Sequence, residues 1–528
     1  MKKAVFTLLT AAFSFPLLST AQIITFADSK VKAICVKFWD TNKDGELSEA
    51  EAAAVTTLDQ EFHKKSEITS FDELSYFTGL TSIDADEFYG CTSLTSIVIP
   101  SSVTSIGRNA FYRCYELAQI NLPEGLKSIG DNAFESCYAL QDIPLPSQLT
   151  KLGNYVFYYC SKITNVTIPA SVTSIGRNPF RGCYNITRLI VASDNPVYDS
   201  RDNSNTIIKT SSNALITGCR TTFIPQSVRS INNYAFEGCL GLKSIILPEG
   251  LVTIGESAFS RCTSLESIHI PSTVTSIGYR ALSNTPQLAS ITVEEGNVWY
   301  DSRENCNAII DKTSNALIAG CKNSTIPEGI VRIGSYAFLQ CTGLTSITLP
   351  STLRSISNDA FARSGLTNIE LPEGFETLEE YSFSYCEALK TVTIPSTMKA
   401  ITWYVFYESN NLTDVTSNIE SPWGIFPTTF SNDAYKNATL HVPYGTKDQY
   451  STLEGWREFA NIVEGPSPYM LGDVNCDGWI SVSDAMMTVD YILGDEYADF
   501  HEDRADLNGD GEINIADVMA IVNIILLQ

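Results

Sequence analysis

"LTSIVIPSSVTSIGRNAFYRCYE", residues 94–116, runs straight into "LAQINLPEGLKSIGDNAFESCYA" (117–139) and "LQDIPLPSQLTKLGNYVFYYCSK" (140–162). All three follow one pattern, LxxIxIPxxVxxIGxxAFxxCxx with apolar variants, and its period is 23 residues. Phe88, Phe111, Phe134, Phe157 and Phe180 keep that spacing, as do Cys91, Cys114, Cys137, Cys160 and Cys183. A fixed period of this length identifies a solenoid, in which no single turn of chain covers its own apolar face and stacked turns cover one another.

Within a coil, Ile97 and Ile99 alternate with polar residues and predict a short strand that Pro100 ends. Val103 to Ile106 predicts a second extended piece, and Ala110-Phe111 predicts the start of a helical turn. Twelve coils begin at Leu94, Leu117, Leu140, Ile163, Ile186, Leu242, Leu265, Leu288, Leu344, Leu366, Leu389 and Leu412. Two steps, Ile186 to Leu242 and Leu288 to Leu344, are more than twice as long as the period. Both carry inserts, about 191–224 and 293–326. "NPVYDSRDNSNTIIKTSSNALITGC" from 195 and "NVWYDSRENCNAIIDKTSNALIAGC" from 297 are versions of one segment. Their apolar pairs around a polar turn predict a β-hairpin laid beside the stack. On the strand face, Ser96 and Val98, Gln119 and Asn121, Asn165 and Thr167, and Ser267 and His269 point to solvent as a hydrogen-bonding strip. The cysteine slot is filled elsewhere by Thr285, Ser364 and Ser409, which predicts a small buried position occupied by free thiols.

The chain has 528 residues, with 60 acidic side chains against 35 basic and a formal charge of -25. Such a surface repels phosphate backbones, so nucleic acid is excluded as a partner, while divalent cations are attracted. "MKKAVFTLLTAAFSFPLLSTAQ" has a basic start, an apolar run and a small-residue end, which predicts a signal peptide over 1–21 and export to the cell surface or beyond. No later stretch is long and apolar enough to span a membrane. The four histidines, His63, His269, His441 and His501, lie on unrelated segments, and no nucleophile, zinc or phosphate-loop motif occurs, so no catalytic residue is assigned.

Three loops have the spacing of calcium ligands. "DTNKDGELSEAE" offers Asp40, Asn42 and Asp44, the Glu46 carbonyl, Ser48 and Glu51, with Gly45 at the sharp turn. It lies between helix-compatible "SKVKAICVKFW" and "AEAAAVTTLDQEF", which predicts an EF-hand-like helix-loop-helix over 22–65 without its usual second hand. A second loop offers Asp473, Asn475, Asp477, the Trp479 carbonyl, Ser481 and Asp484. A third, with the same internal spacing, offers Asp506, Asn508, Asp510, the Glu512 carbonyl, Asn514 and Asp517. Each of these two runs into an apolar helix, and "VEGPSPYM" before them supplies a stiff linker, 466–470.

The 23-residue pattern resembles the BspA-like leucine-rich repeats over roughly 66–465, including entry and terminal segments like that family's caps. The loop-then-helix duplication over 471–528 resembles a type I dockerin. Together these resemblances imply a repeat protein, a leucine-rich-repeat β-solenoid with short parallel strands, flanked by small α-helical calcium-binding modules. They imply a secreted or cell-surface, non-catalytic binding or adhesion protein whose solenoid takes a host or matrix protein, or a glycan. In the dockerin family calcium is the cofactor that folds the module, and loop positions ten and eleven meet a cohesin. Here those positions are Val482-Ser483 and Ile515-Ala516, which differ from the usual hydroxyl pair and from each other and so predict unequal use of the two faces. The alternative function is a non-catalytic component of a polysaccharide-degrading, cellulosome-like assembly.

Overall fold

The computed structural model describes residues 22–465, 470–495, 497 and 499–527, so the predicted signal peptide and residues 466–469 of the linker lie outside the described residues. The described residues form two compact units, divided between Gly365 and Leu366.

In the first unit the 23-residue period becomes a strict coil-to-coil register. Ser96–Val98 pairs in parallel with Gln119–Asn121, and Ser105–Ile106 with Ser128–Ile129. Along each short strand the apolar residue enters the core and its neighbours face out, so Ile97 and Ile106 are each 1 % exposed. The IG dipeptide marks where adjacent backbones come closest. A Cβ on Gly130 would lie 2.7 Å from both the Arg108 nitrogen and the Gly107 carbonyl carbon.

The predicted helical turn at Ala110-Phe111 is instead a pair of tight turns. Asn109 and Arg113 adopt left-handed φ of 55° and 60°, which no α-helix accommodates. The amides that a helix would use internally point along the stack instead. Asn109, Phe111 and Arg113 N–H donate to the carbonyls of Asp131, Ala133 and Glu135 at 2.9, 2.8 and 2.8 Å. Inside this edge the phenylalanines stack almost parallel, Phe111 on Phe134 at 5.3 Å and Phe134 on Phe157 at 5.5 Å. Beside them each cysteine donates its thiol proton to a phenylalanine carbonyl of an earlier coil. Cys114, Cys137 and Cys160 reach Phe88, Phe111 and Phe134 at 3.1, 3.2 and 3.1 Å. All fourteen cysteines are free; Cys239 is half-buried, Cys476 is exposed and the rest are buried.

Local chemistry explains the interruptions. In "DIPLP" Pro144 has no N–H to donate, and no strand forms there. The Asp142 carboxylate takes over, accepting the N–H groups of Thr164 at 2.6 Å and Asn165 at 2.9 Å. The inserts form hairpins as expected, but within the stack and not beside it. Thr206–Lys209 pairs antiparallel with Ala214–Gly218, and the latter pairs in parallel with Ser230–Ile231. Ile207, Ile208 and Leu215 are fully buried. An apolar hairpin of this kind is most stable when the next coil covers it, so it takes a coil's place. The second insert repeats this with Ala308–Asp311, Ala316–Gly320 and Arg332–Ile333.

The helix Ser29–Trp39 covers the first coil. Asp28 caps it, and the second Asp28 carboxylate oxygen accepts from Thr69 N at 2.6 Å and Thr69 Oγ1 at 2.9 Å. The helix expected through residue 62 stops at Ala54. β-Branched Val55-Thr56-Thr57 follows, and Asp59 and Gln60 take left-handed φ, which turns the chain into the first coil. In the second unit, Asn368–Glu370, Thr391–Ile394, Asp414–Ser417, Thr439–Val442 and Asn461–Glu464 form one parallel sheet. Fully buried Tyr450 and Trp456 fill its last layer. Further on, helices Val482–Leu493 and Ile515–Leu527 pack around a small core of Val474, Ile480, Ala485, Ala505 and Ile521.

Candidate calcium loops and interaction faces

In the two C-terminal loops, aspartate and asparagine side chains accept backbone N–H groups two to five residues ahead, which bends the chain around its own oxygens. Asp473 accepts from Gly478 N at 3.1 Å, and Asp506 from Gly511 N at 2.8 Å. Asn475 accepts from Asp477 N and Asn508 from Asp510 N, at 2.9 and 2.8 Å. Asp477 accepts from Trp479 N and Asp510 from Glu512 N, both at 2.9 Å. The twelfth position closes each loop. Asp484 accepts from Ser481 N at 2.9 Å and Asn475 N at 3.3 Å, and Asp517 from Asn514 N at 3.0 Å and Asn508 N at 3.3 Å. Both closing carboxylates are fully buried.

The same pattern recurs near the N-terminus. Asp40 accepts from Gly45 N, Asn42 from Asp44 N and Asp44 from Glu46 N, at 2.9, 2.8 and 2.9 Å. Glu51 accepts from Ser48 N at 2.9 Å and Asn42 N at 3.2 Å, and the Ser48 N–H holds its carboxyl down at about 2. Where a second hand would pair with the loop, the segment before the first helix does so in part: Ile23 bridges Ser48, and Ile24 N donates to Leu47 O at 2.9 Å. The Glu46 side chain pairs with Lys32, which leaves its carbonyl for the loop. Among the described residues, no group of three or more His, Cys, Asp or Glu side chains is arranged to hold a metal ion by itself. The all-oxygen donor set of carboxylates, amides, Ser48 or Ser481 hydroxyl and carbonyls suits a hard cation, calcium above all.

Arg504 was not anticipated. It is 6 % exposed and donates to the Asp473 carbonyl at 3.1 Å and carboxylate at 3.4 Å, so the loop that begins at Asp473 carries an internal cation next to its first candidate ligand.

Beside each loop an apolar patch faces solvent. Val482, Met486 and Leu493 are 62, 61 and 76 % exposed, and their counterparts after the next loop, Ile515, Met519 and Leu526, are 66, 54 and 77 % exposed. Ser483 and Ala516 are exposed next to them. The helix faces thus extend beyond the two predicted positions, and their apolar sets match; carrying the loop-to-loop correspondence along the helices would have found Met486 and Met519. The solvent-facing strip is present in part, with Gln119, Asn121, Asn165, Thr167, Ser267 and His269 exposed and Ser96 and Val98 half-buried.

These features define a leucine-rich-repeat solenoid joined to a paired-loop docking module. The chain belongs to the BspA-type leucine-rich repeat family, whose model matches residues 81–205, 200–309 and 311–439, and it carries a type I dockerin domain at 471–526. Both families are typically non-catalytic. No curated protein matches the chain. Among solved structures it is similar to a leucine-rich repeat protein from Eubacterium ventriosum, at 28 % identity over 58 % of this chain and 80 % of that one, with a TM-score of 0.45. A leucine-rich cell surface protein from Faecalibacterium prausnitzii aligns at 24 % identity over 74 % and 84 %, with a TM-score of 0.37. A leucine-rich repeat protein from Bacteroides ovatus aligns at 27 % over 64 % and 82 %, with a TM-score of 0.35. Among the described residues no helix is long and apolar enough to cross a membrane.

Proposed function

We propose that this is an exported, non-catalytic binding protein, in which the repeat array, residues 66–465, holds a protein or polymer ligand and the dockerin domain, 471–528, docks a cohesin-type partner. The observation that carries it is the exposed apolar set Val482, Met486, Ile515 and Met519 beside two loops of calcium-ligand chemistry. Exposed apolar side chains clustered on short helices mark an interaction face. Asp473, Asn475, Asp477, Ser481 and Asp484, with their counterparts from Asp506 to Asp517, would hold calcium. Calcium, when bound, neutralises the loop carboxylates and stabilises the folded module by mass action. Asp40, Asn42, Asp44, Ser48 and Glu51 would hold a further ion in the EF-hand-like loop and stiffen the cap on the first coil.

Passing the full chain over immobilised cohesin domains, with calcium or with chelator, tests the docking half. Capture in calcium alone, lost when Asp484 and Asp517 are both changed to Ala, is the expected result; failure of every cohesin to capture it overturns that half. The dockerin domain also favours a second reading, a non-catalytic member of a polysaccharide-degrading assembly. A panel of matrix proteins and glycans separates the two, because selective glycan binding supports the second.

A further inference from the structure

Each insert breaks the ladder formed by the second strand of every coil. The ladder from Ser82–Ile83 ends at Ser174–Ile175, and the next, which starts with the first insert, ends at Ser276–Ile277. At both ends a tyrosine of the following insert seals the edge: Ile175 N donates to Tyr198 Oη, and Ile277 N to Tyr300 Oη, each at 3.1 Å. Ile175 and Ile277 are left half-exposed, whereas Ile106 and Ile129 in paired strands are buried.

A cleft opens beside each break. The first has a volume of about 710 Å³ and is lined by Ile175 and Ile216 together with Tyr155, Arg177, Asn232 and Tyr234. The second, of about 310 Å³, is lined by Ile277 and Ile318 together with Tyr279, Arg280 and Arg332. Ile175 and Ile277, Arg177 and Tyr279, and Ile216 and Ile318 are equivalent positions of the two duplicated blocks. One lining residue of each cleft also belongs to a cation–π pair whose other member lies outside the lining: Arg181 lies over Tyr234 of the first, and Arg280 of the second lies over Tyr336, both at 4.4 Å.

The ladder between the two breaks holds six strands joined by five pairings, about 24 Å at the usual strand spacing. Two clefts of unequal size at equivalent positions of the duplicated blocks suit a ligand that itself repeats. Aromatic rings, amides and guanidinium groups lining the clefts beside a few apolar residues suit sugar rings and their hydroxyls. The sealed edges leave an extended peptide no N–H at Ile175 or Ile277 for strand addition. The charge of -25 disfavours polyanions. Taking the array as a binding surface, on which this assignment depends, we infer that the two clefts are paired subsites for one neutral polysaccharide chain.

Arg177 and Tyr279 are both exposed, so R177A and Y279A alter one cleft each without touching the core. Electrophoresis of the full chain through gels containing xylan, hydroxyethylcellulose, laminarin, galactomannan or heparin reads the binding, and thermal unfolding checks the fold. At least one neutral polysaccharide retards the natural chain, each single variant weakens retardation, and the double variant loses it by about tenfold or more, as expected when two weak sites share one polymer. Retardation unchanged in the double variant overturns the cleft assignment while leaving a binding array intact. The assignment is equally overturned by retardation in heparin alone, or by capture of matrix proteins with no retardation in any neutral gel. A chain that binds neither glycans nor matrix proteins refutes the binding array as well.

Discussion

Alkylation of the cysteine ladder in the native protein separates free buried thiols from a cross-linked edge. Burial pushes the Cys91 thiol up to about 12, and it also raises Cys114, Cys137, Cys160 and Cys183. The reacting species is the thiolate, and an ordinary cysteine with a value near 8.5 is about one-quarter ionised at pH 8. At about 12 the ionised fraction is ~10⁻⁴, so ionisation alone slows Cys91 by about three orders of magnitude before access is considered. Iodoacetamide at pH 8, followed by mass spectrometry, therefore labels exposed Cys476 within minutes and leaves the rungs unlabelled until denaturant is added, when all fourteen react. Rapid native labelling of Cys114 or Cys137, or rungs that stay unreactive in denaturant until reduced, would refute the reasoning. The same burial sets a pH limit. The rungs keep their protons in the folded chain while the unfolded chain loses them above about 8.5, so stability falls with rising pH by about 1.4 kcal/mol per unit for each thiol in the unfolding segment.

Phe134 stacks on both sides and Phe180 only on Phe157 among the described rings. Phe134→Ala should cost about 3–5 kcal/mol and exceed Phe180→Ala by about 0.5–1.5 kcal/mol in hydrogen-exchange opening energies; equal costs would argue against the stack. Gly130→Ala forces a Cβ against the preceding coil and should cost about 1–3 kcal/mol, whereas Gly125→Ala, whose Cβ would lie 3.8 Å from the Ser101 carbonyl, should be near neutral by the same measurement. Glu87 is fully buried, and burial raises its carboxyl to about 7. A folded-state value raised above the unfolded one means that its contribution is present at low pH and is lost as pH climbs from about 4.5 through 7. Glu87→Gln should therefore stabilise the N-terminal coils by about 2–3 kcal/mol at pH 8 and have little effect at pH 4, as read by denaturant titration.

The period, the strand pairs and the three loops were legible because each depends on residues close in sequence. Asp473 and Asp484, or Asp40 and Glu51, lie within one loop, so spacing alone brings them together. The turn at Ala110-Phe111 was not legible. Phe111 and Cys114 have helical spacing, and Arg113 carries no sign of the left-handed backbone that prevents a helix. The hairpins' place in the stack depends on Leu215 meeting Ile231, a pairing set by the following coil. The clefts form where a strand ladder stops, and Tyr198 gives no sign in the sequence that its phenol reaches back to Ile175. Arg504 was missed for a similar reason, since it acts on Asp473 from beyond the whole of the intervening helix.

Hydrogen exchange of the full chain, with calcium and then with chelator, tests most directly whether a self-supporting repeat array carries a calcium-folded docking module. Chelation should release the amides of Gly478, Trp479, Gly511, Glu512 and the helices Val482–Leu493 and Ile515–Leu527. The coil-to-coil amides of Asn109, Phe111 and Arg113 should exchange as slowly as before. Protection of the C-terminal helices that survives chelation, or a loss that spreads through the coils, would contradict it.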